Sequence, residues 1–173
     1  MKYFVAFVAA YIAVILAASV LPYIHVLGVS PDLVLILCAC WAMVRGHREA
    51  MVVIPMAGLV RDLTTTDPVG ASVLALLPII PLTILIREVR PVESDFLPAV
   101  VVVAAASFAY AVISMTVLTV VGDDVPWLRG LVYITVPSML VNSLFAAFVY
   151  LPMRWLSPRP TRESFGVGSA VQL

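Results

Sequence analysis

Long apolar runs separated by short polar breaks make up nearly the whole chain, and within each run the apolar residues are continuous. About six such runs are visible, over residues 3–23, 31–45, 50–65, 69–86, 96–121 and 128–156. A helix needs about 20 mostly apolar residues to cross a bilayer. Lipid admits only helices or closed barrels, because every backbone polar group must find its partner inside the span. A membrane barrel would place apolar residues at every second position, and these runs do not. The pattern predicts an all-α membrane protein of about six transmembrane helices, forming one polytopic domain over residues 1–156. The remainder, 157–173, is rich in Pro, Gly, Ser and Arg without apolar period, and is expected to be a disordered tail.

Punctuation refines the helices. The first is expected to end at Leu21-Pro22, and its apolar stretch exceeds the ~7–15 residues of a secretion signal, so it reads as a retained helix. Ser30-Pro31-Asp32 opens the second: Ser30 suits an N-cap, Pro31 the first helical position, and Asp32 the positive end of the helix dipole. That helix is short for a full crossing unless Arg45 snorkels. Pro55 lies inside the third. Pro78 and Pro81 should kink or open the fourth, and Pro137 and Pro152 fall in the sixth. Asp67-Pro68 with Gly70 forms a turn between the third and fourth.

Composition changes the picture only by exclusion. Of the 173 residues, 63% are hydrophobic and 12% charged, with mean hydropathy +1.12, too little charge to cover a water-soluble domain. Zero net charge argues against nucleic acid as a partner. Charge placement says more. With a cytoplasmic amino terminus, the inner segments carry Lys2, Arg45, Arg48, Arg87, Arg90, Arg154, Arg159 and Arg162, and the outer ones only Arg61 and Arg129. This bias puts both termini in the cytoplasm.

Candidate chemistry is sparse. No nucleophile, acid or metal constellation is evident, so neither an enzyme nor a cofactor or metal site is expected. Cys38 and Cys40, two apart on a helix, point about 200° from each other and read as small hydrophobes. His25 and His47 have no ligand or orienting carboxylate nearby in sequence. Polar residues such as Ser114, Thr116, Thr119, Ser138 and Asn142 are too few to line a channel. Ser138 and Asn142, four apart, can bond neighbouring helices or line a cavity.

Ionisable residues at membrane depth are functional candidates, which brings forward Arg61 and Asp62. Being adjacent, they diverge by about 100° and need partners elsewhere. Asp32, at the outer start of the second helix, could accept from Arg61. Asp62 is either buried and paired or wet at the outer interface. Gly58 shares its face at i,i+4 and permits close backbone approach. In the first helix, Ala6 and Ala10 form one small-residue pair and Ala9, Ala13 and Ala17 a longer row, a surface suited to helix packing.

Taken together, Pro31-Asp32-Leu33, Arg45-Gly46, Gly58-Leu59, Asp62-Leu63 and Asp67-Pro68-Val69-Gly70 resemble the pattern of the MreD family of the bacterial rod-shape (elongasome) system. The resemblance implies a non-enzymatic scaffold in the bacterial cytoplasmic membrane. It would bind MreC directly and connect indirectly to RodA, its transpeptidase partner and MreB, with a homodimer as a further option. It also implies a fold similar to the S components of energy-coupling-factor transporters, with Asp32 and Asp62 near an outer mouth. The structural and partner-binding candidates are then Asp32, Gly58, Arg61, Asp62, Gly70, Ala9, Ala13, Ala17 and Asn142. The alternative is a vitamin-binding S component, for which Trp127 and Tyr23 would be the main ligand contacts.

Overall fold

The computed structural model describes residues 15, 28–65, 68–89 and 96–156. The helices are α1 Leu33–Arg45, α2 His47–Asp62, α3 Ala71–Leu76, α4 Ile79–Val89, α5 Phe96–Val121 and α6 Trp127–Arg129, the last passing through a π-helical turn, Gly130–Thr135, into α7 Val136–Leu156. No β-strand occurs among the described residues. Three stretches are long and apolar enough to cross a membrane: Ala71–Glu88, Phe96–Val121 and Trp127–Trp155. The segment expected as the first helix, with Ala9, Ala13 and Ala17, lies outside the described residues, as does the tail 157–173.

Helix α1 is the axis of the arrangement. It is apolar on every side, and a helix of that kind must be surrounded. It packs against α2, α4, α5 and α7, and almost every residue from Val34 to Met43 is buried. The expected N-cap is corrected: Asp32, not Ser30, holds that position, its carboxylate accepting from the Leu35 N–H at 3.1 Å. Pro31 therefore precedes the cap instead of opening the helix. At the other end Gly46 adopts φ +95° and α2 begins at the next residue, so one glycine makes the entire hairpin. Only a residue without Cβ takes that backbone conformation readily. Arg87 from α4 donates to the Met43 carbonyl, one of those a helix end leaves unpaired.

The prolines act unequally. Pro78 breaks the predicted fourth helix into α3 and α4, joined by the turn at Leu77-Pro78, while Pro81 lies within α4 without interrupting it. Pro55 sits inside α2 and only removes the bond to the carbonyl of Met51, which faces outward. The π turn lies directly before Pro137, whose ring would crowd the carbonyl four residues back in a regular helix. There the Val136 N–H reaches the Leu131 carbonyl, and the Thr135 hydroxyl donates to the Gly130 carbonyl at 3.2 Å.

Candidate functional site

Two polar assemblies sit where α1, α2 and α3 end against α5 and α7. The first joins α2 to α3. Asp62, the last residue of α2, is 3% exposed. One carboxylate oxygen accepts from the Gly70 N–H at 2.7 Å and the other from the Ser72 N–H at 3.0 Å. Both are donors that the start of α3 cannot satisfy within itself. The carboxylate thus caps a helix from outside its own sequence, and the negative charge meets the positive end of the α3 dipole. Gly70, at φ +97°, gives the turn its left-handed residue.

One turn earlier, Gly58 lets α3 approach. A Cβ there would lie 2.7 Å from the Cα of Val73, a backbone atom that cannot move aside alone. Gly58, Asp62 and Gly70 are therefore parts of one joint. Gly58→Ala should force the two helices apart and lower stability by about 1–3 kcal/mol. An unchanged denaturation midpoint would show that the joint is slack.

The second assembly ties α1 to α2, α5 and α7. The Arg61 guanidinium donates to both carboxylate oxygens of Asp32, at 2.8 and 2.6 Å. Its carbon centre lies 4.9 Å from the centroid of the Tyr110 ring on α5, so the charge is held by a carboxylate and an aromatic face together. The Asp32 N–H donates to the Asn142 side-chain oxygen at 2.8 Å. The Asn142 amide donates to the Ser107 hydroxyl at 3.0 Å, and that hydroxyl donates to the Val103 carbonyl at 2.8 Å. The Asn142–Ser107 bond crosses between helices, the kind worth about 0.6 kcal/mol on average in a membrane protein, whereas the Ser107–Val103 bond lies within α5 and orients the hydroxyl.

Depth is where expectation and structure part. Asp32 was expected at the outer edge of its helix. Ser107 and Asn142 lie near the middle of Phe96–Val121 and of Trp127–Trp155. At 1.5 Å per residue each is about 15–22 Å from either end of its helix. Since Asp32 bonds Asn142 directly, α1 begins at mid-height, and α5 and α7 extend well past it. Arg61, counted by the sequence among outer charges, is drawn into the same level.

Of the sequence candidates, the structure brings together Asp32, Arg61 and Asn142, and separately Gly58, Asp62 and Gly70. Ser107, Tyr110, Ser72 and Val73 were not anticipated. Ser107 and Tyr110 could have been noticed as two polar groups three apart in an otherwise apolar run. Val73 and the Ser72 N–H carry no sequence signal at all. Ser138 makes no hydrogen bond among the described residues. Cys38 and Cys40 are free and buried in α1, and no group of three or more metal-capable side chains occurs among the described residues.

A third feature is apolar. A groove of about 870 Å³ opens between α4, α5 and α7. Ala105 and Ala109 lie on its floor, Pro81 and Leu85 stand along α4, and Met139 closes the α7 side. Among the described residues Glu88 is its one ionisable lining residue, at the end of α4 that also bears Arg87.

These features define an all-helical membrane protein whose buried polar groups join helices to one another. The profile of a protein family described as rod shape-determining protein MreD matches residues 1–158, nearly the whole chain. The chain belongs to the MreD family, and its role is in the determination of rod shape. No curated protein and no solved structure gives a match.

Proposed function

We propose that the chain is a non-enzymatic scaffold of the cell-elongation machinery. In this reading it receives the single membrane helix of MreC, and through it is coupled to RodA, its transpeptidase partner and MreB. Six crossings in an S-component-like arrangement, with both termini in the cytoplasm of a bacterial inner-membrane protein, is the topology that goes with it. The observation that carries the reading is the groove. Its alanine floor allows a second helix backbone to come close, the usual basis of helix association in lipid. Its single carboxylate, Glu88, lies on the arginine-rich side, where a single-pass partner carries its own basic flank under the positive-inside rule.

Co-purification with MreC of the same organism in mild detergent tests the reading, and failure to associate removes it. The groove is tested separately. Ala105→Leu with Ala109→Leu should fill the floor and weaken MreC binding about tenfold, which is about 1.4 kcal/mol, without lowering the melting temperature. Glu88→Lys should weaken it as well. If all these variants bind like the parent, the partner sits elsewhere.

A further inference from the structure

The arginine-rich end of the molecule holds a second unassigned feature, independent of the groove. Trp41 and Arg45 are one turn apart on α1, and the Arg45 guanidinium lies over the Trp41 ring, 5.4 Å from its centroid. Trp41 is 8% exposed and packs with Val53 and Met153 in a small apolar cluster that adjoins the main core through Met153. Among the described residues its indole Nε1 is buried without an acceptor, and so is the Nε of Arg45. Two adjacent buried donors without acceptors are unusual, since buried polar groups are nearly always paired. Each unmade bond costs roughly as much as the desolvation of the group.

The surroundings indicate what is missing. Arg48 is exposed in the first turn of α2, and that helix start has no side-chain cap on its N–H groups. Arg154 follows Met153 on α7. Glu49 is the one carboxylate in this first turn of α2. Met51 and Val52, immediately beyond, expose apolar side chains to the outside. Positive charge, uncapped N–H groups and a tryptophan thus lie at the end of an apolar bundle, with bare hydrocarbon surface just above.

We propose that the Trp41–Arg45 turn is a headgroup site for an anionic phospholipid. Phosphate oxygens accept from the Arg45 guanidinium, whose planar fork suits that geometry, and from the indole N–H. The acyl chains run along Met51 and Val52. Half-buried Arg45, whose Nε is covered while its outer edge reaches the surface, swings with the phosphate and uncovers the indole edge. Basic pockets between membrane helices on the cytoplasmic side bind lipid headgroups by this chemistry.

The test uses the full chain, delipidated in detergent and titrated with phosphatidylglycerol, with phosphatidylcholine of equal chain length, and with inorganic phosphate. Native mass spectrometry and melting temperature are the readouts. Phosphatidylglycerol should bind and stabilise more than phosphatidylcholine, and inorganic phosphate should do neither. Trp41→Phe keeps a smaller aromatic ring and removes the indole N–H, and should weaken phosphatidylglycerol binding about tenfold. Arg45→Gln should weaken it further. Arg129→Gln, at the opposite end, should leave it unchanged. Equal binding of the two lipids, or unaltered binding by both Trp41→Phe and Arg45→Gln, overturns the proposal. Stabilisation by inorganic phosphate to the same extent reassigns the turn to a soluble anion and also overturns it.

Discussion

Asp62→Ala is expected to cost about 3 kcal/mol or more and to lower the melting temperature in detergent by about 10 °C. Two backbone N–H groups, Gly70 and Ser72, lose a charged acceptor at once, and the Ser72 N–H is left buried. Asp62→Asn provides the sharper comparison. The amide keeps one oxygen for one N–H but turns an NH2 toward the other, so about half the loss should remain. If alanine and asparagine are equally mild, the carboxylate is not what holds α3 to α2. If asparagine matches alanine at full cost, the charge matters more than the two acceptors. Thermal unfolding followed by circular dichroism distinguishes these outcomes.

Arg61→Met should be the next most damaging change. It leaves the Asp32 carboxylate at mid-height with only the Leu35 N–H for company. Removing one member of a buried pair costs about 3–5 kcal/mol. The two side chains are 22% and 17% exposed, so about 2–3 kcal/mol is the reasonable expectation after screening. Neutralising the partner should reverse part of that loss. In Asp32→Asn the side-chain oxygen still caps Leu35, and no charge remains to be stranded. The double variant should therefore melt above Arg61→Met alone. A double variant that melts lower, at the sum of the two single losses, would mean the ion pair contributes nothing as a pair.

Much of this was readable from residue order, and the limits have physical causes. The bounds of α5 follow from one uninterrupted apolar run, and the break at Pro78 from a missing N–H. Arg61 beside Asp62 had to find different partners because adjacent helical residues diverge, and Asp32 was the available carboxylate. Three things were not readable. Ser30 and Asp32 are both good caps, and only the approach of Arg61 and Asn142 favours the second. The level of Asp32 depends on where α1 stands against α5 and α7, which is a packing result. The proximity of Gly58 to Val73 depends on how the eight-residue connection 63–70 closes, and glycine alone does not say what comes near it.

The π turn before Pro137 has a consequence for rotation about the helix axis. Gly130 faces α5 so closely that an added Cβ would strike Met115, and Asn142 faces α5 at Ser107. Twelve steps of a regular helix would leave these two positions about 120° apart around the cylinder. Absorbing one extra residue in the wide turn brings them to within about 20°. The bulge works as a phase corrector, letting a single rod present the same azimuth to its neighbour at two heights. The number of residues between these contacts is consequently fixed by angle as well as by length.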